Sequence, residues 1–307
     1  MKAIILAAGL GTRLRPLTNN IPKPLVPVAN YANILQIIEH LKKQGINRIT
    51  INLHYKPQPL INLLGNGEQL NVHLEYSMEP EILGTGGGIK KMLSMGPPQT
   101  TVVINGDVLF MPDIKKIIRN HTASGAMATM VIRKSAKAEQ LGAVGIDTRK
   151  MVKRLVYAGD QTLANIYMFT GMHIIEPDLA KMLPDNGCIV RKTYIPMVEQ
   201  NSHKLFAQED NSYFCDLGTP EDYLSSNLKI ARGEIAVPLC SKPSGSNITG
   251  HGVAYGQGCV IENSVIGNNV KIKDKITIKN CVVLDNAAVT ENISNAIVLE
   301  DGQIMKV

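Results

Sequence analysis

The stretch that most constrains this chain is its first 27 residues, MKAIILAAGLGTRLRPLTNNIPKPLVP. Residues 3–8 are an apolar run of the length of a buried parallel strand. The run ends in Gly9-Leu10-Gly11-Thr12-Arg13. Two glycines there allow a sharp turn and leave backbone N–H groups unscreened by side chains, which makes an anion cradle. The third glycine of the dinucleotide fingerprint is missing, and no Gly-Lys-Ser/Thr follows as in a P-loop. Two cations come next, Arg13 and Lys23. Pro22 and Pro24 restrict the backbone around Lys23 and so fix where its ammonium points.

Apolar spacing predicts a helix over residues 34–44, stopped by Gly45. It then predicts a strand over 48–53, a helix over 57–64 and a strand over 70–76. A glycine run at 84–88 leads into a helix over 89–93, and a β-branched strand over 101–104 ends in Asn105-Gly106-Asp107. Strands and helices alternating over short connections imply an α/β fold, a Rossmann-like, mainly parallel sheet wrapped by helices. Ligands of such a sheet bind at the carboxyl ends of its strands, and Gly9 and Asp107 both sit just past such ends. Residues 127–132, 143–146 and 166–172 read as strands of a second half, and 223–231 as a closing helix.

The chain has 307 residues, more than one ordinary core, so two domains are expected. We place the α/β domain at 1–232. A linker rich in Pro, Gly and Ser follows at 233–246, and a tail domain at 247–307. In the tail, Ala254, Val260, Ile266, Ile272, Ile278 and Leu284 recur every six residues, with small or aliphatic residues four further on. That period predicts a parallel β-helix. Its flank and coil ends should mediate self-association, so removing everything after Gly233 is expected to leave a soluble chain of lower oligomeric order.

At 44% hydrophobic and 19% charged residues, the composition is that of a soluble globular protein. No apolar run approaches the roughly 20 residues of a membrane span. The short N-terminal run is broken by Gly9, Gly11 and Arg13, unlike a signal peptide. Five cysteines lack any CxxC or His-spaced pattern and read as reduced thiols in the cytoplasm. The excess of 32 Lys+Arg over 26 Asp+Glu suits a small anionic substrate. There is no basic tract with interleaved aromatics, so nucleic acid is not expected as a partner.

Asp107 follows Gly106 at a strand end, a place for a metal ligand, while Asp113 is the better-placed helix cap. Asp216 lies between apolar residues in Tyr213-Phe214-Cys215-Asp216-Leu217-Gly218-Thr219-Pro220, where a carboxylate needs a partner or an Asx-turn.

LAAGLGTRLRPLT followed by PKPLVPV resembles the signature of the sugar-1-phosphate nucleotidylyltransferases, and among them the GDP-mannose pyrophosphorylase group most. The resemblance implies that Leu6, Ala7, Ala8, Gly9, Gly11 and Thr12 hold the nucleoside triphosphate, with Arg13 and Lys23 as the catalytic cations on its phosphates. It implies Mg2+ on Asp107 and on Asp216, the latter from the Asp-x-Gly-Thr-Pro motif. It makes Gly84, Thr85 and Gly86 a second glycine loop under base and ribose, and Gly142 a sugar contact. It also makes the tail a left-handed hexapeptide β-helix and the protein a homo-oligomer. In the family the residue at Glu79 reads the base. An ionised carboxylate accepts two hydrogen bonds, which matches the N1–H and N2 amino group of guanine.

The expected reaction therefore joins GTP and mannose 1-phosphate. Heptose 1-phosphate, UTP or dTTP, or a silent regulatory subunit are the alternatives. Retention of Arg13, Lys23, Asp107 and Asp216 speaks against the silent subunit. Acyl transfer on the tail is disfavoured, since its only histidine, His251, precedes the regular repeats. One departure stands out: the family's Glu-Lys-Pro, whose lysine binds the sugar phosphate, is replaced by Leu155-Val156-Tyr157-Ala158-Gly159. Lys153, Arg154, Arg191 and Lys192 are candidate substitutes, each also readable as a solvated charge. His173 reads as a surface or hydrogen-bonded histidine and not as a catalyst.

Overall fold

A buried lysine marks how the first strand is held. Lys2, 4% exposed, donates to the carbonyls of Met92 and Met95, the C-terminal end of the helix Gly84–Leu93. A cation at that end meets the negative pole of the helix and satisfies orphan carbonyls. The computed structural model describes residues 1–136, 138–163, 165–240 and 245–307, and Gln140 and Leu141 by their backbone alone. Residues 241–244 of the expected linker lie outside the described residues.

Contacts divide the chain into two units. The first comprises 1–9, 41–106 and 112–212; the second comprises 10–40, 107–111 and 213–307. The boundaries placed at 232 and 247 from sequence remain a reading of the sequence, because the units are assembled from discontinuous segments.

The first unit is built on a sheet of ten strands. We label nine of them: β1 (Lys2–Leu6), β2 (Arg48–Leu53), β3 (His73–Met78), β4 (Thr101–Asn105), β5 (Ala128–Arg133), β6 (Ala143–Ile146), β7 (Val152–Leu155), β8 (Ile166–Ile175) and β9 (Leu205–Glu209). β3, β2, β1 and β4 run parallel in that order. β8 then pairs antiparallel with β4, β5 and β6, and β9 pairs parallel with β5. The carboxyl ends of β1, β2, β3, β4, β5 and β9 therefore share one edge of the sheet, as the mixed, mainly parallel expectation requires. Strands buried on both faces read as continuous apolar runs, which is why KAIIL and TVVIN were legible. Between strands, helices such as Asn33–Lys43 and Pro57–Leu64 fall close to where periodicity put them.

In the second unit the tail forms short parallel strands stacked as a β-helix. Ala254 pairs with Lys271 and Lys271 with Ala288, while Ile248 pairs with Val265 and Val265 with Val282. These steps are 17 residues, one fewer than three hexads. The six-residue frame therefore slips along the chain. Ile266, Ile272 and Ile278 point inward, whereas Ala254 and Val260 are exposed. Each rung turns a corner on an asparagine in the left-handed region: Asn263, Asn280 and Asn295 have φ of 45°, 52° and 48°. Their amides stack, Asn263 donating to Asn280 at 2.6 Å and Asn280 to Asn295 at 3.1 Å. Asparagine tolerates that conformation at little cost, so the ladder fixes the register. The strand Ile304–Lys306 closes one end of the stack by pairing antiparallel with Ile293–Val298.

The tail is not a detachable module. Val265, Val282 and Ile297 form one apolar cluster with Leu14, Leu17 and Val26 of the N-terminal segment and with Tyr223 and Leu224 of the helix Pro220–Ala231. Asn30 donates to the carbonyl of Ile266 at 2.7 Å. The linker expectation also changes. Val237, 7% exposed, packs with Val28, Leu109 and Leu217, and the Leu239 N–H donates to Gln36 at 2.9 Å. Ile235 and Val237, two apolar residues in a Pro/Gly/Ser background, are the reason this part is bound down.

Each buried aliphatic in that cluster contributes about 1.5–3 kcal/mol. Val282→Asp should therefore destabilise the protein by roughly 3 kcal/mol or more in urea denaturation. A chain ending at residue 246 should aggregate, not persist as a soluble catalytic fragment. A soluble, cooperatively folding fragment would refute this account of the tail.

Candidate active site

The second unit carries the cationic half of the expected site. Gly11, at φ 64°, turns the chain after Leu10, and a Cβ there would stand 3.1 Å from Cβ of Lys23. The Thr18 hydroxyl pins the turn by donating to the Gly11 carbonyl at 2.7 Å. Lys23 follows in a single 3-10 turn, Lys23–Leu25, entered through Pro22. Its side chain is 8% exposed, and its ammonium donates to Asp107 Oδ2 at 2.9 Å and to the Asp216 carbonyl at 2.8 Å. A buried ammonium needs such partners, and here they draw three distant segments together. The Asp216 Oδ1 accepts from the Gly218 N–H at 2.9 Å, the Asx-turn foreseen as its plain role. Arg13 lies 3.6 Å from Asp216 Oδ2, and both side chains are largely exposed. An exposed pair of that kind adds little to stability, so the guanidinium is not committed to the protein. A cavity of about 250 Å³ is lined by Leu10, Gly11, Thr12, Arg13, Lys23 and Asp107, among others.

The first unit carries the remaining expected residues. Leu6 ends β1 and accepts from the Gly106 N–H at 2.8 Å. Ala7 and Ala8 are buried, and a Cβ on Gly9 would meet no atom within 4 Å. Gly142 has φ 104°, a conformation that favours glycine. The hub is a residue that sequence reading passed over, Asn52 at the end of β2, 3% exposed. Its Oδ1 accepts from the Ala7 N–H at 2.7 Å and its Nδ2 donates to Glu79 Oε1 at 2.8 Å. The signal was a lone amide in the apolar strand RITINL.

Glu79 is 3% exposed, and its second oxygen accepts from the Leu83 N–H at 3.0 Å. Each carboxylate oxygen thus accepts one hydrogen bond inside the unit, which holds the Glu79 side chain in place at this corner. The glycines at 84–88 are also taken up by the protein. The helix begins at Gly84, five residues before the apolar periodicity suggested, and a second segment lies against it. A Cβ on Gly84 would be 2.8 Å from the Gly187 carbonyl oxygen, one on Gly86 2.7 Å from Pro184, and one on Gly87 on top of the Asp185 carbonyl. Gly86 N–H donates to Gly187 O at 2.7 Å, and Ile189 N–H to Thr85 Oγ1 at 3.0 Å. Gly84, Thr85 and Gly86 therefore pack on one side against the segment 184–189.

His173 is buried at 1% exposure and bonds through Nδ1 to the equally buried Tyr194 hydroxyl. Burial pushes its pKa down to about 3. It is a hydrogen-bonded core residue, as the plainer expectation held. Among the described residues no group of three or more His, Cys, Asp or Glu side chains forms a metal cage.

Fold and site together define an α/β protein that handles phosphates. The nucleotidyl transferase family model matches residues 2–233, so the chain belongs to that family, and the resemblance stated from sequence is borne out. A mannose-1-phosphate guanylyltransferase of Mycobacterium tuberculosis is 28% identical over 88% of this chain and 76% of its own length. A D-glycero-alpha-D-manno-heptose 1-phosphate guanylyltransferase of Aneurinibacillus thermoaerophilus is 30% identical over 75% of this chain and 98% of its own. Among solved structures, HddC from Yersinia pseudotuberculosis complexed with GMP-PN superposes with a TM-score of 0.61 at 28% identity. It covers 74% of this chain and 98% of that one.

Two outcomes follow. Gly87→Ala should gain up to about 1 kcal/mol from helix propensity and lose roughly 1–3 kcal/mol to overpacking against Asp185. Net destabilisation in denaturant titration is expected, and a more stable variant would show that the 184–187 contact is loose. The second concerns pH. Between about pH 6.5 and 3 the unfolded chain binds a proton at His173 that the folded chain does not. Stability should fall as pH drops through that window, and His173→Gln should flatten the slope by up to one proton, read from urea unfolding at pH 7 and pH 5.

Proposed function

We propose that this protein transfers the GMP moiety of GTP to mannose 1-phosphate, giving GDP-mannose and pyrophosphate. A sugar-phosphate oxygen attacks the α-phosphorus, and the bond from that phosphorus to the bridging oxygen of the pyrophosphate breaks. The observation that carries the reading is the Lys23 ammonium held between Asp107 and the Asp216 carbonyl beside a glycine turn and an uncommitted Arg13. Two polyanions must meet in line, so catalysis is positioning and charge neutralisation, and no protein nucleophile is needed. In this reading the backbone around Gly11 and Thr12 cradles the triphosphate. Lys23 offsets charge near the α-phosphate, and Arg13 swings onto the departing pyrophosphate.

Asp107 and Asp216 would hold Mg2+. Two carboxylates without a larger cage suit that ion, which keeps waters and takes its remaining oxygens from substrate phosphates. The Lys23 and Gly218 N–H contacts would orient the two carboxylates as outer partners. The ion supplies charge neutralisation on the phosphates when bound.

Guanine and mannose are supported by the relatives. The heptose guanylyltransferase matched over 98% of its length favours a manno-configured heptose 1-phosphate as the second reading. Among the described residues the five cysteines form no disulfide, which supports a reducing, cytoplasmic setting. Tyr255 and Val260, exposed at 54% and 47%, support self-association through the first coil of the tail.

The deciding experiment measures pyrophosphate release for the four triphosphates against a panel of sugar 1-phosphates. GTP with mannose 1-phosphate should give a kcat/KM at least roughly tenfold above UTP or dTTP. Equal or better use of UTP or dTTP removes the guanine assignment, and absence of release with every pair removes the reaction.

A further inference from the structure

The cation for the sugar phosphate is missing from its expected place, and the structure offers another. A cavity of about 520 Å³ opens in the first unit, lined by Lys134, Ser135, Ala136, Asn165, Ile166 and Tyr167. Lys134 follows the last residue of β5, and Asn165 precedes the first residue of β8. β4 and β5 both run antiparallel to β8, and β1 runs parallel to β4. The cavity thus lies on the same edge of the sheet as the carboxyl ends of β1 and β4, where an open α/β sheet takes its ligands.

Three of the earlier candidates are occupied elsewhere. Lys153 donates to Asn201 at 2.7 Å and contacts His203. Arg154 forms a two-oxygen pair with Glu139 at 2.9 and 3.0 Å. Lys192 donates to the Asn186 carbonyl at 2.9 Å. Arg191 does not line the cavity. Lys134 is exposed, and among the described residues no hydrogen bond or ion pair engages it.

Resting on the reaction proposed above, we infer that Lys134 binds the phosphate of the sugar 1-phosphate, with Ser135 and Asn165 beside it. The ammonium supplies three donors and a full charge for a phosphomonoester dianion. The hydroxyl and the amide each donate and accept, as sugar hydroxyls require. Ile166 and Tyr167 also line the cavity, and its volume falls in the ordinary range for a small-molecule site. The lysine lost after β7 is thereby replaced from another strand of the same sheet.

Steady-state kinetics with the best sugar 1-phosphate, together with calorimetric titration of that compound, test the inference. Lys134→Met should raise KM and Kd for the sugar phosphate by roughly ten- to a hundredfold, the loss of a charge-assisted hydrogen bond. KM for the triphosphate should stay within about twofold, Lys134→Arg should recover most of the loss, and Lys153→Met should behave as wild type. Unchanged sugar-phosphate KM in an active Lys134→Met enzyme, or a rise in triphosphate KM instead, overturns the inference and leaves the reaction standing. Lys134-dependent binding without pyrophosphate release overturns the reaction and keeps the anion site.

Discussion

The contact between the Lys23 ammonium, the Asp107 carboxylate and the Asp216 carbonyl organises the second unit. It joins residues separated by 84 and 193 positions in the chain. A lysine so poorly solvated is stable only with such partners. Its position in turn depends on the turn at Gly11, the 3-10 turn after Pro22 and the Asx-turn at Asp216. Each piece is local and short, and each fails without the others. The outcome is a fixed positive charge between fixed oxygen atoms, which is the electrostatic setting that phosphoryl chemistry needs before any substrate arrives.

That arrangement rests on the tail. Leu14, Leu17 and Val26 flank the two cations in sequence, and their side chains are buried against Val265, Val282 and Ile297. The β-helix therefore does two things at once. Its inward residues make a core of their own, and its outward Val265, Val282 and Ile297 pack against the segment that carries Arg13 and Lys23. A repeat usually read as an assembly module is here part of the unit that holds Arg13 and Lys23.

In the first unit Gly84, Gly86 and Gly87 let the backbone of 184–187 approach the helix at distances that no Cβ would permit. Asn52 and Glu79 close the same corner with a chain of hydrogen bonds running from Ala7 to Leu83. Buried polar groups joined in this way are individually modest and costly to interrupt.

The sequence by itself determined the strands and helices whose signals are local: KAIIL and TVVIN by apolar run, Pro57–Leu64 by its proline start, and the tail by its recurring aliphatics. It also singled out Arg13, Lys23, Asp107 and Asp216, which the structure gathers in the second unit. Only the tertiary structure decided what those residues touch. Which groups hold Glu79, which segment packs against Gly84–Gly86, and whether 17 or 18 residues make a rung all depend on partners far away in the chain. Periodicity measures which side of an element is apolar. It carries no record of which distant segment arrives on that side.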